Sequence, residues 1–389
     1  MFAGRIVFSQ LMDFLPRTEF DQCVRSHQGN WRVRSFSCFD QFLCMAFAQL
    51  TFRESLRDIE TCLRSLEPKL YHAGFRGKVA RSTLADANES RDWRIFSDFA
   101  HVLIAKARRL YANDDVDLAL RHVAYALDST TIDLCLSLFP WARSCRTKSA
   151  IKLHTLLDLH SNIPSFVRIT GGRVHDLHVF DHLALEPGAF YVMDRGYLDF
   201  TRLYAFTQHC AFFVIRAKRN LDCQRRTSRT VDPATGVRSD QSVVLTGYRS
   251  SRYYPDLLRR ISFRDPDRGG RYVFLTNNFT LPPETIATLY KCRWQVELFF
   301  KWIKQHLRIK AFFGTSPNAV KTQVWIAIAI YVLVAIARHE LAGDRSLAEI
   351  LQVLSLSLFE KTPLPQLLSL EKPQGADIAS VNQLTLFDF

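Results

Sequence analysis

The stretch HVAYALDSTTIDL, residues 122–134, decides how this chain is read. Its side chains follow a two-residue period and include Val, Tyr, Thr and Ile, the pattern of a strand with two distinct faces. Two segments of the same kind follow after short polar breaks: AIKLHTLLDLH (150–160) and SFVRITGGRV (165–174). Three consecutive strands with short connections make a meander. Further along come a short helical stretch near His178 to Leu185, the strand AFYVMDRGY (189–197), a helix from Asp199 to His209, and the strand CAFFVIRAK (210–218).

The order β-β-β-α-β-α-β is that of a ribonuclease H-like core. In such a sheet the first and fourth strands lie adjacent and parallel, so Asp128 at the end of the first strand would meet Asp194 at the end of the fourth. Small hydroxyl residues, Ser129 and Thr130, follow the first aspartate, and Gly196 after the second lets the backbone turn sharply. Asp199 reads as the N-cap of the next helix.

On the N-terminal side, residues up to about 115 read as helical. Phe39 to Leu50 is apolar-rich, and TFRE (51–54) fits a capping box opening a helix over SLRDIETCLRSL. RSTLADANESR (81–91) reads as a third helix begun by Ser82. Such a set suits a helix-turn-helix-like DNA-binding unit, with a plain helical subdomain as the alternative.

On the C-terminal side, residues 216–271 carry fourteen Arg and Lys against six acids, an excess that makes up most of the chain's net +13. Short strands such as SVVLTGYR and RRISFR, separated by Asp-Pro and Gly turns, suggest a β-rich insertion facing phosphates, with Arg225, Arg226 and Arg229 among its contacts. Pro282 and Pro283 then suit a helix's first turn, where a missing N–H costs nothing. One long helix to about Leu307 is expected. Cys292, Val296, Phe299, Ile303 and Leu307 form its apolar stripe, and Tyr290, Arg293, Glu297, Lys301 and Lys304 share another face. A helix at 324–337, another near 347–358 and a polar tail close the chain.

Among 389 residues, 48% are hydrophobic, so a sizeable core forms and general disorder is excluded. The basic balance points to a polyanionic partner, nucleic acid or an anionic membrane surface. The apolar run Val324 to Ala337 falls short of the roughly 20 residues a membrane span needs, and reads as a buried core helix. Nine scattered cysteines, an odd number without a C-x-x-C pair, favour neither a zinc ribbon nor a disulfide framework. With no export signal evident in MFAGRIVFSQLMDFL, the expectation is a cytoplasmic protein with reduced thiols and no membrane partner. His175, His178 and His182 have helical spacing, but no further ligand points to a metal there.

Phosphodiester cleavage by two metal ions needs hard oxygen ligands set so that the ions clamp the attacking and leaving oxygens. Asp128, Asp194 and Glu297, drawn from three separate elements, suit that task. The run from Tyr290 through Arg293 and Glu297 to Lys304 resembles the Y-R-E-K signature of bacterial insertion-sequence DDE transposases of the insertion-sequence-four group. With the two aspartates the resemblance covers about residues 120–340. QLTFRESLRDIE and RSTLADANESRDW look like the N-terminal domain of one subgroup, which extends it to most of the chain.

The resemblance implies an Asp128, Asp194, Glu297 triad holding two Mg²⁺, with Mn²⁺ able to substitute. It further implies Tyr290, Arg293, Lys301 and Lys304 on transposon-end phosphates, Trp294 stacking near the cleaved strand, and a homodimer on double-stranded DNA, both element ends and target. A base-wedging Trp expected in the insertion is missing; Tyr253 or Tyr254 could take its place. The expected fold class is α/β, a ribonuclease H-like core with a basic β-rich insertion before the last catalytic helix, plus a helical N-terminal domain. The boundaries expected are 1–115 for the N-terminal DNA-binding domain, 116–215 and 279–340 for the core, 216–278 for the insertion, and 341–389 for the C-terminal helix and tail. A structure-specific nuclease on the same core and a silent transposase-derived DNA-binding protein are the competing readings.

Overall fold

A computed structural model describes residues 4–112, 123–218, 220–265, 269–306 and 312–369. The polar tail beyond 369 and Leu307 of the expected stripe lie outside the described residues. The fold is mixed α/β, with a helical N-terminal region and one nine-stranded sheet.

The N-terminal helices are α1 (Val7–Met12), α2 (Arg17–Ser26), α3 (Cys38–Leu50), α4 (Leu56–Ser65), α5 (Glu67–Leu70), α6 (Arg81–Ser90) and α7 (Arg94–Tyr111). Two start signals differ from expectation. Thr51 is the C-cap of α3, its hydroxyl donating to the Phe47 carbonyl at 2.7 Å, and α4 instead starts at Ser55, which accepts from the Asp58 amide. Thr51 still belongs to the last turn of α3, its amide bonding the Phe47 carbonyl, and Phe52 then turns the chain with φ 56°, so the next helix takes its cap from Ser55, four residues on. Helix α6 begins at Arg81 with no side-chain cap, so Ser82 lies inside its first turn.

The sheet runs β3-β2-β1-β4-β5-β9-β8-β7-β6, with β1 Ala124–Leu134, β2 Ser149–Asp158, β3 Pro164–Gly171, β4 Phe190–Met193, β5 Phe212–Arg216, β6 Cys223–Arg229, β7 Val237–Leu245, β8 Leu258–Arg264 and β9 Arg271–Thr276. The meander β1–β2–β3 is antiparallel, and β1, β4 and β5 are parallel. Helix α8 (Phe200–Gln208) links β4 to β5, and the Asp199 carboxylate caps it by accepting from the Arg202 amide at 3.0 Å. The central strands are buried on both faces, which is why FYVM of β4 is uniformly apolar. Tyr125 and Leu127 pack with α8 on one face, while Ala126 and Ile132 enter the core shared with the other helices.

The basic segment does not stand apart from this sheet. Its strands β6–β9 extend it, β9 pairing antiparallel with β5, and a short helix α9 (Tyr248–Tyr253) joins β7 to β8. A buried ion pair locks it: Arg259 donates to both Asp240 oxygens at 2.8 and 2.7 Å and to the Leu281 carbonyl at 2.6 Å. The outer strand β6, CQRRTSR, is almost wholly exposed, and its arginines protect an open edge against pairing with another chain.

After the sheet come α10 (Pro283–Cys292), α11 (Trp294–His306), α12 (Pro317–Glu340), α13 (Leu347–Ser357) and α14 (Leu364–Leu368). The single long helix expected from Pro282 is broken at Arg293. There the Arg293 amide bonds the Tyr290 carbonyl and the Val296 amide the Arg293 carbonyl, both three-residue spans that tighten the turn. Helix α12 is long and apolar enough to cross a membrane, yet 94% of its apolar window is buried inside the fold. It packs on α7, α3 and α6. Tyr111 donates to the Ala335 carbonyl and Asn318 to the Asn88 and Arg91 carbonyls, which ties the N-terminal helices to it.

Candidate active site

Parallel pairing of β1 with β4 ends at Leu127 and Met193, so Asp128 and Asp194 are each the residue after the last paired position. Asp194 leaves its strand there, as expected. Asp128 does not end its strand: β1 continues to Leu134 because β2 pairs with it along its full length. Each aspartate accepts from the amide of the next residue, Ser129 at 2.8 Å and Arg195 at 2.6 Å, and this fixes its rotamer.

Arg293, at the break between α10 and α11, joins this edge to the helices. Its guanidinium donates to Asp128 at 2.9 Å and to Glu297, one turn on, at 2.5 Å. Its Nε is buried without a hydrogen-bond partner, so the bridge leaves one donor unused. Burial raises the Asp128 carboxyl to about 6, the charges of Glu297 and Asp194 adding to the rise while the Ser129 amide and Arg293 oppose it. Burial likewise pushes the Tyr290 phenol up to about 12. Tyr290 lies in an aromatic group with Phe274, 4.7 Å between centroids, and the Arg293 guanidinium stands 5.8 Å from its ring.

A cleft of about 490 Å³ opens on these groups, lined by Asp194, Arg216, Tyr290, Arg293, Trp294 and Glu297 together with Lys291 and Asp265. Half of the Trp294 surface is exposed there. The cleft sets three basic groups, Arg216, Lys291 and Arg293, among three acids, Asp194, Asp265 and Glu297, with Arg293 spanning Glu297 and the neighbouring Asp128 and the Trp294 indole offering a flat face.

A family model described as transposase DDE domain matches residues 120–333, which is more than half of the chain. The chain belongs to that family. A second model, a domain of unknown function (DUF4372), matches residues 3–76. The putative transposase y4zB of Sinorhizobium fredii is 35% identical over 65% of this chain and 70% of its own length. The probable transposase for insertion sequence element IS5377 of Geobacillus stearothermophilus is 34% identical over 53% of this chain and 54% of its own. The putative transposase for insertion sequence element IS4SA of Synechocystis is 22% identical over 88% and 96%. The DDE domain thus groups with transposases of bacterial insertion sequences, as the Y-R-E-K run implied.

DDE domains use divalent metal ions, and the donor set here suits them: three carboxylates, all hard oxygen, with a guanidinium standing as a cation between two of them. Among the described residues no three acidic, His or Cys side chains stand close enough together to hold an ion, and Arg293 bridges two of the carboxylates. Lys301 and Lys304 are exposed on α11, outside the lining of the cleft. Arg225 and Arg226 are exposed on β6, whereas Arg229 is engaged, donating to the Phe279 carbonyl at 2.8 Å. Tyr254 cannot serve as a base wedge, because it is buried with its hydroxyl 2.8 Å from Thr207; Tyr253 is about half exposed.

Lys291, which lines the cleft, was not among the expected site residues, Arg216 was expected only as one of the insertion's basic residues, and a polar group next to Asp128 was not expected. In that group Ser129 donates to Asp176 at 2.8 Å and Lys152 to the same oxygen at 3.1 Å, beside His154, which burial lowers to about 4. The structure brings them together through the β1–β2 register, which pairs Ser129 with His154.

Proposed function

We propose that this transposase binds the ends of an insertion sequence, cleaves them with Asp128, Asp194 and Glu297, and joins the freed 3′-OH to target DNA. The observation that carries the reading is the Arg293 bridge from Asp128 to Glu297 in a cleft that also holds Asp194. The strand order β3-β2-β1-β4-β5 supports a ribonuclease H-like core over 116–215 and 279–340.

The three carboxylates would hold two Mg²⁺, with Mn²⁺ able to replace it. When bound, such ions supply the Lewis acidity that phosphodiester hydrolysis needs. The chain's own groups bind and orient the DNA. Tyr290, Arg293, Lys301 and Lys304 hold phosphates of the element end, Trp294 stacks beside the cleaved strand, and Arg225, Arg226 and Arg229 add backbone contacts from the insertion. Residues 1–115 recognise the end, and two copies act together on the paired ends.

The test is incubation of the full chain with Mg²⁺ and DNA bearing the inverted repeats that flank its coding sequence. The reading expects cuts at the repeat boundary and, with pre-cut ends, joined products. Cutting without end preference or joining would favour a structure-specific nuclease instead.

A further inference from the structure

The fold sorts the arginines of the β6–β9 segment into two groups. Arg259 is buried against Asp240, Arg229 is 4.0 Å from the same acid, and Lys291 beside the segment pairs with Asp265 at 3.3 Å. Arg216, Lys218, Arg225, Arg260 and Arg271 make no ion pair with a carboxylate among the described residues, and these five line one hollow of about 590 Å³. None of its described lining residues is acidic.

Strand register explains the convergence. Arg225 sits opposite Val243 and Arg260 opposite Gln241, while Arg260 pairs with Leu275, four residues from Arg271 on β9. A two-residue period therefore directs Arg225, Arg260 and Arg271 from the same face of the sheet. From β6 across β7, β8 and β9 to β5 is four interstrand spacings of about 4.8 Å, or ~19 Å. A single inorganic phosphate fills a small part of that length; at ~3.4 Å per nucleotide along a strand it corresponds to about five or six nucleotides. Like charges gathered on one wall repel one another, and a polyanion relieves that repulsion. Arg216, whose guanidinium stands 5.1 Å from the Tyr272 ring, lines both this hollow and the carboxylate cleft, so the two meet at the end of β5.

We infer that this hollow is a track for the sugar-phosphate backbone of the DNA entering or leaving the carboxylate cleft. The inference rests on the proposal that DNA is cut in that cleft, and it names which basic residues of the segment carry phosphate. Gln241, which accepts from Arg260 at 3.3 Å, holds that guanidinium at the floor of the track.

The test compares two triple variants of the full chain for binding to a DNA duplex over a salt series. Arg225→Ala/Arg260→Ala/Arg271→Ala removes three track charges. Arg238→Ala/Arg249→Ala/Arg252→Ala removes three exposed charges of the same segment outside the track. Counterion release of about 0.9 per phosphate predicts that the log K against log salt slope of the first flattens by about 2.7 units, and that of the second by less than about 1. Lysine at the three track positions should restore the slope, which separates lost charge from lost folding. Equal slopes for both alanine triples, or an unchanged slope for the first, would overturn the inference. If the parent chain makes no Mg²⁺-dependent cut while the first triple still flattens the slope, the proposed function fails and the track stands.

Discussion

Replacing Arg293 by Ala should make the metal-free protein less stable and more receptive to a divalent cation. The guanidinium is the only described side chain donating to both Asp128 and Glu297, and it is 16% exposed. Its removal leaves Asp128 and Glu297 without the cation that bridges them, with the Asp194 charge nearby. Two charges about 4 Å apart at an effective dielectric near 20 interact by roughly 4 kcal/mol, and breaking a buried pair costs about 3–5 kcal/mol. Because Glu297 is 38% exposed and partly screened, the lower end of that range, about 3 kcal/mol at pH 8, is the expected loss. A divalent cation binds the folded site and not the unfolded chain, so it should recover much of that loss. In the parent the same cation must first displace Arg293, and a competition worth even 1.4 kcal/mol weakens its apparent affinity tenfold. Urea unfolding with EDTA and with a Mg²⁺ or Mn²⁺ series measures both effects. Equal loss with and without the cation, or identical cation affinity in parent and variant, would refute the view that Arg293 occupies the position a cation takes.

Asp128→Asn tests the raised carboxyl. Because Asp128 holds its proton up to about 6 in the fold against about 3.9 in an unfolded chain, its contribution is most favourable below pH 4 and is lost as pH rises through 6. Relative to the parent in EDTA, the variant should therefore gain about 2–3 kcal/mol between pH 4 and pH 7 in urea melts; a constant difference would remove the shift. Arg259→Ala leaves Asp240 buried without its bidentate partner, so unfolding free energy should drop by about 3–5 kcal/mol, and a change under 1 would show that the pair is not what locks the segment to the sheet. In the full chain, Arg57→Ala/Arg76→Ala, two exposed N-terminal charges, should narrow the preference for the element's own ends over shuffled sequence in mobility shifts at moderate salt; an unchanged preference would move end recognition elsewhere.

The core strands were legible because each carries a two-residue period or an uninterrupted apolar run between turn residues, and the parallel neighbours β1 and β4 follow from their order. Tyr290, Arg293 and Glu297 were legible as three- and four-residue helical steps that match the Y-R-E-K signature. Sequence could not show that α10 and α11 break at Arg293, since no Pro or Gly marks the break and the residue itself is a good helix former. What distinguishes it is a long-range partner, Asp128, 165 residues away. Sorting the insertion's arginines into buried and open groups was equally out of reach, because Arg259 and Arg260 are neighbours in sequence and differ only in which sheet face they point from. Tyr253 and Tyr254 make the same point: one is half exposed and the other sealed against Thr207. The misplaced start of α4 has a local cause, since TFRE and the pair Ser55 and Asp58 are both plausible caps, and the choice follows from α3 running on to Thr51.

The central claim is that three carboxylates cut DNA and that the basic groups around them hold it. Glu297→Gln tests both halves at once, because the amide keeps the side chain's size and removes its charge. Lost attraction to Arg293 leaves that guanidinium freer for phosphate, so affinity for an element-end duplex in mobility shifts should hold or rise slightly. Mg²⁺-dependent cleavage of the same duplex should vanish. Retained cleavage, or binding lost together with cleavage, would contradict the account and remove Glu297 from the metal-holding set.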